Sequence, residues 1–143
     1  MKRISLALAL VLALSTGAMA AKHQCKSTKG TDFTMEVPDG WAFQTVPGGC
    51  ATGKADGSEM ISVAYYPGNG LTAKAFAAGL VKQMNVKPQI NKEEDDYVDF
   101  DANVNGNKVN ITVTGKADDD ELQVVTQKGE SKALEQIFDS VTF

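Results

Sequence analysis

Arginine is nearly missing from this 143-residue chain: one stands at position 3 and none follows. Bidentate recognition of phosphates and carboxylates is mainly arginine's work, so its absence argues against a phosphate-rich partner. Histidine occurs once, as His23. A serine or cysteine hydrolase would then have to place its base three residues past an expected processing site, which disfavours nucleophilic catalysis. From position 21 onward, twelve lysines face eighteen acidic residues, for a net charge of about −6. No basic stripe is present, and a nucleic-acid role is not expected. Only two cysteines occur, Cys25 and Cys50, and no Cys-x-x-Cys that would mark a redox pair.

Long apolar runs are also missing. The longest, Ile4 to Leu14, has eleven residues, well short of the roughly 20 that span a bilayer. It follows Lys2 and Arg3 and precedes Ala18-Met19-Ala20, the order of a secretory signal peptide. Residues 1–20 are therefore read as a cleaved signal peptide, and 21–143 as one domain delivered to the periplasm. Lys22, His23 and Gln24 stand before Cys25 where a lipoprotein would need small residues, so no stable membrane anchor is expected. In an oxidising compartment an even pair of cysteines forms a disulfide. Residues 33–46 read as two strands joined at Pro38-Asp39-Gly40, and folding there sets position 25 opposite 53, near Cys50.

Apolar residues alternate in "DFTMEV", "EMISVAYY", "YVDFDANV", "KVNITVT" and "LQVVTQ", the period of half-buried strands, and "WAFQTV" begins another after the turn. Asn105-Gly106 marks a hairpin. "PGGCATGKADGS" reads as a loop from its glycines, and a short strand at 88–92 is weakly marked. Thr72 is placed to cap a helix whose apolar face is Ala73, Phe76, Ala77, Leu80, Val81 and Met84, with Leu71 stapling onto Phe76. Ser131 opens a second helix with Leu134, Ile137, Phe138 and Val141 inward. The expected fold class is α+β, an antiparallel sheet packed against two main helices.

The stretches "FTMEVPDGWAFQ" and "SVAYYPGNGLTAKAFAAGLVKQM", the late meander and the final amphipathic helix resemble the Mog1/PsbP-like group, including small periplasmic proteins of the DcrB type. The resemblance implies an α/β/α sandwich and a binding or accessory role without a shared activity. It carries over no functional residue.

Four constellations hold chemistry. Cleavage after Ala20 would expose Ala21-Lys22-His23, whose amine, two backbone amides and imidazole suit Cu(II) or Ni(II) in a square plane; a solvated tail is the plainer reading. Asp101, Asn103, Asn105 and Gly106 match the opening of a calcium loop, but Thr112 replaces the required glutamate, and a strand entering the hairpin is favoured. The acidic runs 93–96 and 118–121 invite a carboxylate hydrolase or simply mark solvated turns. Trp41, Tyr65, Tyr66 and Tyr97 are candidates for a ligand groove or for ordinary packing. The reading favoured is an exported, monomeric, non-catalytic binding or accessory domain without a resident cofactor, acting on an envelope protein or small ligand. A copper or nickel binder using Ala21 and His23, and a small hydrolase, are the alternatives.

Overall fold

A computed structural model describes residues 21–143, and the signal-peptide expectation for 1–20 lies outside them. The first two strands, β1 (Ala21–Lys26) and β2 (Asp32–Val37), pair antiparallel as a small sheet of their own. After the Pro38–Gly40 turn come β3 (Trp41–Val46), β4 (Gly49–Lys54) and β5 (Met60–Pro67). Helix α1 (Ala73–Met84) follows, then β6 (Gln89–Glu94), β7 (Tyr97–Val104), β8 (Asn107–Thr114), β9 (Glu121–Lys128) and α2 (Lys132–Asp139). Strands β3 to β9 form one seven-stranded antiparallel sheet in the order β3-β4-β5-β9-β8-β7-β6.

The expected α+β sandwich with two main helices is not what forms. Strand takes 51% of the structure and helix 16%, so the architecture is mostly β. Two physical reasons account for the difference. The sheet gains β4 and a full β6, which composition had marked as loop and as weak strand. And much of the face opposite α1 is covered by the β1–β2 hairpin, beside an α2 of only 8 residues.

Alternation along each strand divides the interior in two. Val98, Phe100 and Ala102 of β7, Val109, Ile111 and Val113 of β8, and Leu122 and Val124 of β9 pack with Phe76, Ala77 and Leu80 of α1. On the other face, Ile61, Val63 and Tyr65 of β5 meet Cys25, Phe33, Met35 and Val37 of the hairpin and Leu134 and Ile137 of α2. Helix α1 begins as its sequence dictates, with the Thr72 hydroxyl accepting from Ala75 N–H at 3.1 Å. It ends at Asn85, whose left-handed φ of 53° lets its N–H turn back to the Lys82 carbonyl. Leu71 is exposed, not buried as a staple. Ser131 occupies the N-cap of α2, yet its buried hydroxyl makes no hydrogen bond. Phe138, expected inward, is exposed, while Val141 packs with the hairpin cluster.

The disulfide joins Cys25 to Cys50, with Cα atoms 5.7 Å apart. The route to it differs from the sequence argument. Strands β2 and β3 do not pair with each other: β2 pairs with β1, and β3 with β4. The bond therefore runs between the two sheets, from β1 to β4, and not across a hairpin. No helix among the described residues is long and apolar enough to cross a membrane.

Candidate functional site

Tyr65 and Tyr66 are successive on β5 and so point to opposite faces of the sheet. Tyr65 lies with Trp41 in the hairpin cluster, and Gln123 Nε2 donates to its hydroxyl at 2.8 Å. Tyr66 lies with α1, and its hydroxyl donates to the Pro47 carbonyl at 3.1 Å. Tyr97 is half-buried at the start of β7, with Lys92 Nζ 5.4 Å from its ring centroid. The structure therefore does not bring these four aromatics into one groove.

Burial pushes the ionisation of both Tyr65 and Tyr66 above the usual phenol range; at Tyr65 the Gln123 hydrogen bond opposes this and Glu121 adds to it. Because the folded state holds these protons more tightly than the unfolded chain, their contribution is complete below about pH 10 and is lost as pH rises through the raised values. Urea-unfolding midpoints should thus fall as pH is raised above about 10, and Tyr66→Phe should remove part of that fall.

The would-be calcium ligands sit on a strand and its turn. Asn105 (φ 52°) and Gly106 (φ 82°) form the tight β7–β8 connection, as an Asn-Gly pair allows. Asp99 and Asp101 lie on the face of β7 away from α1, where Asn110 Nδ2 donates to Asp99 at 2.7 Å and to Asp101 at 3.0 Å. Asn91 donates to Asp99 as well, at 3.0 Å. The β6–β7 and β8–β9 turns, beside which the two acidic runs lie, are at the same end of the sheet. Asp96 supplies its carbonyl to Gly115 N–H, and Asp119 accepts from Lys116 N–H at 2.7 Å. Asp120 pairs with Lys29 at 3.7 Å. Among the described residues no three histidine, cysteine or carboxylate side chains gather as a metal site.

Ala21 to His23 are not a loose tail. They form the first three rungs of β1, opposite Val37, Glu36 and Met35. The His23 ring stacks on Phe43 of β3, with centroids 4.0 Å apart and planes 16° from parallel.

The structure assembles a site at the other end of the chain that the sequence reading passed over. After α2 the backbone turns back and lies beside β2: Thr34 N–H donates to the Thr142 carbonyl at 2.8 Å, and Thr142 N–H to Thr34 at 3.1 Å. The Ser140 hydroxyl accepts from Glu36 N–H at 2.9 Å. This isolated bridge sets Phe143 against Tyr65, edge-on at 4.9 Å, and against Phe33 at 5.6 Å, while leaving it 67% exposed. Beside it is a groove of about 270 Å³ lined by Lys22, Gln24, Asp32, Phe33, Thr34, Thr142 and Phe143. A period-two signal was present in Val141-Thr142-Phe143, but three residues are too few to mark a strand. No family model and no curated protein matches the chain.

Proposed function

We propose that the chain is an exported, non-catalytic binding or accessory domain of the periplasm, and that it contacts its partner through the groove between the β1–β2 hairpin and Phe143. The observation that carries this reading is the Phe143 ring, exposed yet held in place by paired backbone and two aromatic neighbours. An exposed aromatic whose position is already fixed loses little entropy on binding, and such rings dominate the energetics of contact surfaces. Around it, Lys22, Gln24, Asp32 and Thr34 offer polar groups of both signs for orientation. This is also the kind of role that the Mog1/PsbP-like resemblance implies.

The test replaces Phe143 with a photo-crosslinking phenylalanine analogue in cells that export the protein. A control chain carries the analogue at Ile90, exposed on the far edge strand β6. Discrete adducts from position 143 and none from position 90 are expected. No adduct from 143, or the same adducts from both positions, would sink the proposal. Phe143→Ala should remove the binding while shifting stability by less than about 1 kcal/mol, since most of the ring is already in water.

A further inference from the structure

We infer that the chain processed after Ala20 binds one Cu(II) ion at its amino terminus, and that binding unzips the first three rungs of β1. The donors are the α-amine of Ala21, the backbone nitrogens of Lys22 and His23, and imidazole Nδ1 of His23. Four nitrogens in a plane suit the tetragonal preference of Cu(II); Ni(II) takes the same set with lower affinity. On binding, the two amide protons leave to solvent together with any proton on the amine. The metal keeps its oxidation state, and affinity rises with pH.

The geometry makes strand and chelate exclusive. In an extended strand successive N–H groups point to opposite edges, so the Lys22 and His23 nitrogens cannot converge on one ion while β1 stays paired. His23 must also leave Phe43, against which it stacks at 4.0 Å. The rest of the fold is insulated from this change. Cys25, two residues on, is bonded to Cys50, and the rungs Cys25↔Phe33 and Lys26↔Asp32 close the hairpin behind it. Ala21 and Lys22 are exposed and give up little burial by moving, although Lys22 then leaves the rim of the Phe143 groove. Phe43 thus acts as an internal competitor that sets the metal affinity. Removing its ring should tighten Cu(II) binding about 2- to 10-fold, the range expected for one lost aromatic contact.

The experiment uses the exported, processed protein, with Ala21 confirmed as first residue by intact mass. Cu(II) is supplied from a glycine buffer, and the visible d–d absorption of a four-nitrogen plane is followed. One ion per chain is expected, with amide exchange accelerated at Met35 and Val37, whose rungs to His23 and Ala21 are lost, and unchanged at Glu36, whose N–H bonds to the Ser140 hydroxyl. His23→Ala should abolish the band. So should one glycine added ahead of Ala21, which moves the histidine to fourth place without touching the fold. Retention of the band in both variants would overturn the site, because His23 is the only histidine in the chain. Unchanged affinity in both Phe43→Ala and the milder Phe43→Leu, or unaltered exchange at Met35 and Val37, would overturn the coupling to β1.

Discussion

Gly49→Ala is expected to cost about 3–5 kcal/mol and to leave little folded protein at growth temperature, among the largest effects a single methyl group can have. Gly49 lies opposite Ala64 where β4 pairs with β5, and a Cβ there would overlap the Val63 carbonyl and crowd the Ala64 Cα. Both are backbone atoms of a central strand, so neither can swing aside. Relief requires breaking the β4–β5 ladder, and with it the seat of Cys50. Gly79 supplies the control. It lies on the exposed side of α1 with open space where a Cβ would go, so Gly79→Ala should raise stability by about 0.5–1 kcal/mol. Urea unfolding of the two variants side by side would decide the matter. Equal midpoints for Gly49→Ala and the parent would show that β4 does not lie against β5 in this register.

Cys25→Ala/Cys50→Ala should lose about 3 kcal/mol, the entropy that closing a 25-residue loop removes from the unfolded chain. For a domain of this size that corresponds to a fall of roughly 10 °C in Tm. The loss is not spread evenly. Because the bond links the small sheet to the large one, its removal should free the hairpin first, and amide exchange should quicken in β1 and β2 well before β5, β8 and β9. Uniform quickening across both sheets would mean that they unfold as a single unit. Alanine suits this test better than serine, since both positions are almost fully buried and a hydroxyl would add a cost of its own.

The elements with a one-sided apolar period were legible from sequence. Phe33, Met35 and Val37 mark β2, Val98, Phe100 and Ala102 mark β7, and Thr72 with Phe76, Ala77 and Leu80 marks α1; each stands where its spacing placed it. The hidden strands are those whose stability comes from neighbours. In β4, Gly49 is required by the close approach of β5, so the residue that suggested a loop is what permits the strand. All of β6 is exposed, and its charged residues and bulge at Asn91 suit an edge that must not recruit another chain. In β1, "AKHQCK" carries only Cys25 as a fully buried side chain and is held by pairing and the disulfide. Undercounting strands in this way made two helices look like half of the architecture.

The candidate site was less legible for a related reason. Aromatic residues show as candidates in sequence, but which of them converge depends on register. Tyr65 and Tyr66 were bound to part, being adjacent on one strand. Phe143, 67% exposed, is placed by the pairing of its neighbour Thr142 with Thr34, which spans 108 positions. No local pattern encodes such a contact.

The strand order has a bearing on how quickly the protein reaches its native state. Every neighbour in the seven-stranded sheet is joined by a local hairpin except one, the seam where Met60 to Pro67 meets Glu121 to Lys128. Two meanders, β3-β4-β5 and β6-β7-β8-β9, can each form from nearby contacts, whereas the seam must first close a long stretch of chain. That closure is the expected slow step, so Val63→Ala and Val125→Ala, which thin the seam, should slow refolding measured by stopped-flow fluorescence.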